Sequence, residues 1–116
     1  MTVSHFVLMK PRADLSLAGK QAFIDAFDRA MREIPTVRGV RIGRRITHGA
    51  GYEPSVPAMD YVAIIEFDDL AGLQVYLQHP AHEQLGRLFG QSLSGSLVYD
   101  FEVGGTELLG ASGWSG

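Results

Sequence analysis

Between Val75 and His82 the chain reads VYLQHPAH, which gathers two of its four histidines and one of its four tyrosines. A phenol and imidazoles this close together can exchange protons, hold a metal, or cap helix ends through backbone hydrogen bonds. Tyr76 and His79 are three residues apart, so they share a side of a helix. His79 precedes Pro80 and is pushed out of helical conformation, which makes it a junction. Pro80 suits the first position of a second helical segment. His82 then falls in the first turn of that segment. There the positive end of the helix dipole disfavours imidazolium and leaves a neutral base near pH 7. A metal reading would use His79, His82 and Glu83, with His5 as a further ligand. It matches no strong ligand pattern, and hard cations want more carboxylates, so no metal is expected.

His5 comes from a different part of the chain. Thr2 to Lys10 is rich in β-branched and apolar residues and stops at Pro11, as a strand does. Its faces are Val3, His5, Val7, Met9 and Ser4, Phe6, Leu8, Lys10. Both carry apolar groups, so both should be covered. After PRADLS, with Asp14 or Ser16 as cap, Ala22, Phe23, Ala26, Phe27, Ala30, Met31 and Ile34 recur at helical spacing up to Pro35.

Val37 to Thr47 reads as a second strand and His48 to Ala58 as a Gly/Pro loop. Met59 to Phe67 is a third strand. A helix follows from an Asp68 or Asp69 cap to Gln78, weakened by Gly72. PAHEQLGRLFGQSL is a further helical segment, and Ser96 to Val103 a fourth strand with Leu97, Tyr99, Phe101 and Val103 on one face.

This order is the split βαβ arrangement of an α+β, ferredoxin-like domain, βαββαβ, with a four-stranded antiparallel sheet and helices on one face. The domain spans 1–103. Residues 104–116 form a Gly/Ser-rich tail expected to be flexible, with Leu108, Leu109 and Trp114 able to dock on the domain. The uncovered sheet face would carry a good share of Phe6, Leu8, Val40, Ile42, Val62 and Ile64 or their alternates. Apolar surface of that extent points to a homodimer, sheet against sheet, or else to the tail folded across it.

If His5 faces the helices, it meets Tyr76 and His82 in a cavity lined by Phe, Leu, Ile and Met, the usual description of a small-molecule site. The same residues also suit a structural part. His79 and His82 can cap two helix ends, and Tyr76 can be core with its hydroxyl tied to a carbonyl.

Composition narrows the classes. The 116 residues are 46% hydrophobic and 20% charged, with a formal net charge of −3. That balance suits a globular domain and argues against nucleic-acid binding, which needs many cations. Cysteine is absent, so there is no thiolate nucleophile and no disulfide. No apolar run approaches the roughly 18 residues of a membrane span, and the N-terminus lacks a signal-peptide pattern. A cytoplasmic location is expected.

HFVLMK, GVRIGRRIT, YVAIIEFDD, LQVYLQHPAH and LVYDFE, in that order, resemble the stress-responsive A/B barrel (Dabb, dimeric α+β barrel) domain family over Val3 to Val103. The resemblance implies a ferredoxin-like fold and a homodimer whose two sheets form a central barrel. A plant polyketide-cyclase branch of the family closes linear polyketides by aldol condensation. It uses a strand-one His, a helix-two Tyr and the last His of HPAH, which match His5, Tyr76 and His82. The Gly/Pro loop and the long tail depart from that branch.

On this reading His82 removes a proton alpha to a carbonyl, Tyr76 holds it or donates to the enolate, and His5 stabilises the oxyanion, with no cofactor. His79 and Arg41 (or Arg45) are the candidate substrate-binding groups. Two other readings stand beside it: a non-catalytic protective or metabolite-binding dimer, and a cofactor-free monooxygenase acting on an electron-rich phenol.

Overall fold

β1 (Thr2–Pro11) occupies the middle of the sheet. In the computed structural model, which describes residues 2–110, the four strands run in the order β2-β3-β1-β4. β3 (Tyr61–Phe67) and β4 (Leu93–Val103) flank β1, both antiparallel to it. β2 (Gly39–Arg44) pairs antiparallel with β3 at the edge. The helices are α1 (Leu17–Glu33), α2 (Leu70–Gln78) and α3 (Pro80–Ser92). This is a ferredoxin-like fold. Among the described residues no helix is long and apolar enough to cross a membrane.

Local chemistry sets the boundaries. Ser16 caps α1 by accepting from the Gly19 amide at 3.0 Å. Asp69 caps α2 in the same way through Gly72 at 2.9 Å. Gly72 is buried, and its carbonyl accepts from the Thr36 hydroxyl at 2.8 Å. β2 ends at Arg44 rather than Thr47. Beyond it Arg45 donates to the Asp60 carbonyl, and the chain turns into a loop whose Glu53 carboxylate binds the His48 and Gly49 amides. β4 begins at Leu93, three residues before the expected Ser96, because α3 passes into it directly, with the Leu93 amide bonded to the Phe89 carbonyl.

Cross-strand register assigns the faces. Val3, His5 and Val7 pair with Phe67, Ile65 and Ala63, and all six point toward the helices. The core there combines Ile65 and Phe67 with Leu73, Tyr76 and Leu85 from α2 and α3 and with Ala26 and Ala30 from α1. Each fully buried side chain of this size contributes roughly 1.5–3 kcal/mol. The two small alanines let α1 lie close to α3. The opposite face carries Phe6, Leu8, Val62, Ile64, Leu97, Tyr99 and Phe101. Phe101 is 51% exposed and meets Phe6 edge-on at 5.4 Å.

One expectation about the faces is corrected. Val40 and Ile42 pair with Ile65 and Ala63, so they lie on the helix side. The uncovered side of β2 presents Gly39, Arg41 and Gly43 instead. Within the expected tail, Thr106–Gly110 forms a 3-10 turn. Trp114, named above as a docking residue, lies outside the described residues.

Candidate functional site: a buried imidazole–phenol cluster

Three elements distant in sequence deliver the cluster. His5 sits mid-β1 on the helix-facing side and is 4% exposed. Tyr76, 2% exposed, descends from the buried stripe of α2. His82 enters from the third position of α3 and is half-buried. The ring centroids of His5 and Tyr76 are 5.6 Å apart, and those of Tyr76 and His82 are 4.7 Å apart. Phe67 packs against the other side of Tyr76 at 5.2 Å.

The His79–Pro80 junction brings His82 there. Pro80 forces His79 into extended conformation, with φ −72° and ψ 140°. The His79 amide closes α2 on the Tyr76 carbonyl at 3.2 Å, while its carbonyl accepts from the His82 amide at 3.0 Å and the Glu83 amide at 3.1 Å. Its Nδ1 accepts from the Ala81 amide at 3.0 Å, which occupies the ring in capping α3. His79 therefore shapes the site through the backbone.

A fourth group, absent from the sequence reading, completes the cluster. Asp100 lies directly opposite His5 in the β1–β4 ladder, and its carboxylate meets the His5 Nδ1 at 2.5 Å. That contact orients the imidazole and leaves Nε2 as the free ring nitrogen. The available signal was an acidic residue set between the aromatic Tyr99 and Phe101. Finding its partner required the register of β4 against β1.

Arg41 is not brought to the cluster. It lies on the opposite side of the sheet, where its guanidinium pairs with Glu66 at 3.0 Å. Arg45, the alternative, donates to the Glu53 carbonyl in the β2–β3 loop. Among the described residues no three His, Asp or Glu side chains come together as a metal site.

Electrostatics divide the roles. Burial pushes the Tyr76 phenol well above its ordinary value, so it stays protonated and is a hydrogen-bond donor. His82 is held below its ordinary 6.5, first by burial and then by the neighbouring His5, against the opposing pull of the Leu77 carbonyl. A neutral imidazole thus faces a neutral phenol, a pairing suited to general acid–base chemistry at neutral pH.

A separate open cavity of about 940 Å³ lies between α1 and the β2–β3 side of the sheet, lined in part by Phe23, Phe27, Val40, Ile42 and Tyr61. None of His5, Tyr76 and His82 is on its wall.

The fold and cluster define a ferredoxin-like α+β domain with a histidine–tyrosine centre. The chain belongs to the stress-responsive A/B barrel domain (Dabb) family, whose model matches residues 3–103. It is 23% identical to olivetolic acid cyclase of Cannabis sativa over 101 residues, covering 87% of this chain and 96% of that protein. The hydroxynitrile lyase of Passiflora edulis superposes with a TM-score of 0.76 at 13% identity, covering 89% of this chain and 94% of that one. A dimeric ferredoxin-like protein of unknown function from Jannaschia sp. CCS1 superposes with a TM-score of 0.71 at 24% identity, covering 89% of this chain and all of that one.

Proposed function

We propose that this protein is a homodimeric, cofactor-independent acid–base catalyst of the polyketide-cyclase type, with His5, Tyr76 and His82 at its centre. The observation that carries the reading is the convergence of these three groups from β1, α2 and α3, with ring centroids 5.6 and 4.7 Å apart. Its similarity to olivetolic acid cyclase supports the choice of an aldol-type closure. The apolar sheet face around Phe6 and Phe101 and the dimeric Jannaschia neighbour support the homodimer.

The chemistry would run as follows. Neutral His82 accepts the proton from the carbon between two carbonyls, and Tyr76 donates a hydrogen bond to the enolate oxygen. The enolate carbon attacks a distant ketone of the same chain, forming a carbon–carbon bond and an alkoxide. His5, whose Nδ1 is held by the Asp100 carboxylate, stabilises that alkoxide. The proton held on His82 then returns to the alkoxide, so no net proton is lost. Stabilising charge where it develops in a dry site is the main catalytic resource of such an arrangement.

A second reading, a non-catalytic ligand-binding dimer, is favoured by the near-complete burial of His5 and Tyr76 and by their absence from the wall of the open cavity. Both readings are tested by incubating wild type and His82→Ala with tetra- and pentaketide-like β-keto acids, following cyclised product and ligand-induced melting shifts. Product from wild type alone supports catalysis. Equal melting shifts without product support binding only. No product and no shift from either protein removes both.

A further inference from the structure

We propose that Glu102, together with Asp100, makes the approach to the His5–Tyr76–His82 centre selective for uncharged carbonyl compounds, a β-keto ester over the free β-keto acid. This names the substrate class of the proposed acid–base centre and so rests on that reading. His5 and Tyr76 are 4% and 2% exposed, so neither meets solvent directly. Of the four groups in the cluster, the half-buried His82 ring and the Asp100 carboxylate, 45% exposed, are the two that reach water. A reactant arriving from solution therefore passes these two first. Register explains the opening. Val98, Asp100 and Glu102 pair with Val7, His5 and Val3 and so lie on the helix-facing side of β4. All three are nevertheless exposed, because the core under the helices is built on β1 and β3 and this edge strand is left bare.

The charge along that strip has one sign. Asp100 and Glu102 are two apart on one strand, so their side chains leave the same face roughly 7 Å apart. Among the described residues Glu102 has no lysine or arginine within ion-pair distance. α2 carries no charged side chain, and Arg87, the only lysine or arginine of α3, sits with Glu83 at 3.7 Å. β4 has no lysine or arginine, and Lys10 of β1 shares the opposite face with Phe6 and Leu8. The elements that build the centre thus present an incoming carboxylate with two like charges and no unpaired lysine or arginine, which weakens its approach. An ester or ketone meets no such repulsion, and its carbonyl can still accept from Tyr76.

Alkylation of His82 reads this selectivity without turnover, and the absence of cysteine lets haloacetyl reagents report on histidine. Iodoacetamide and iodoacetate are alike in size, but only the second is an anion. Measured by site-resolved mass spectrometry, the iodoacetamide-to-iodoacetate rate ratio at His82 should exceed that of N-acetylhistidine methylamide at least about threefold. Glu102→Lys, at an exposed position, should bring the ratio down to that of the free histidine or below, with Glu102→Gln in between. Neither substitution should move the iodoacetamide rate. In cyclisation assays the kcat/KM preference of wild type for a β-keto methyl ester over its free acid should shrink in the same order. Cyclisation of neither compound, with the alkylation ratio as expected, overturns the catalytic reading and leaves an anion-excluding mouth. The proposal itself is overturned by any one of four results: no alkylation of His82 by iodoacetamide, a ratio at His82 equal to that of the free histidine, a Glu102→Lys ratio unchanged from wild type, or a free acid turned over as fast as its ester.

Discussion

His5 Nδ1 and the Asp100 carboxylate meet at 2.5 Å across the β1–β4 ladder, where the two residues are direct register partners. The strand pairing itself aims the imidazole, before any substrate arrives. Asp100 acts through His5 and is a positioning residue. Asp100→Asn should lower kcat by about tenfold or more, in the range seen when an orienting partner is lost, and Asp100→Glu should recover part of it. Because the Asp100 side chain is 45% exposed, the melting temperature should change little. A large loss of stability with unchanged kcat would assign the contact to the fold alone.

The depressed pKa of His82 gives a pH dependence with a definite sign. Its folded value lies below the ordinary 6.5, so the unfolded chain binds more protons in the window between the two. The stability that the neutral ring contributes is fully present above about 6.5 and is lost as pH falls through the lower, folded value. Urea unfolding from pH 7.5 downward should show this decline in wild type and a flatter profile in His82→Gln. The wild-type kcat/KM should fall as pH drops through the folded value of His82, the base that must be neutral.

Tyr76 combines packing with a hydroxyl, and the two can be separated. Tyr76→Phe keeps the ring against Phe67 and removes only the donor. Turnover should fall by about 10²–10⁴-fold, with stability changed by about 1 kcal/mol. Tyr76→Ala removes a ring that is 2% exposed and should destabilise the chain by about 3–5 kcal/mol. Denaturant midpoints and turnover measured on the same two variants distinguish these effects.

The outer sheet face separates assembly from chemistry. Phe101→Arg places a charge beside Phe6 and Tyr99 and, if the proposed homodimer packs through this face, should yield a monomer in sedimentation equilibrium. Arg41→Ala removes one exposed ion pair with Glu66, worth about 0–1 kcal/mol, and should leave turnover unaltered because Arg41 is across the sheet from the cluster. Loss of turnover in Arg41→Ala while the dimer persists would return that residue to the site.

Much of this was legible in the chain. Alternation from Val3 to Met9, the helical recurrence from Ala22 to Ile34 and the proline after His79 each report a local preference, and local preferences survive without a partner. They yielded the element order and the ferredoxin-like class, and they put His5, Tyr76 and His82 on elements able to meet. Strand ends were less legible, since Arg45 and Asp60 bond to each other only after β2 and β3 have paired.

What the tertiary structure alone decided was sidedness and partnership. Val40, Ile42 and Arg41 alternate correctly in the sequence, but only the register against Ile65, Ala63 and Ile64 says which of them faces the helices. Asp100 is 95 residues from His5, and nothing local in either segment encodes their meeting. A period of two says that neighbours point apart. Which way each points depends on contacts made by distant parts of the chain.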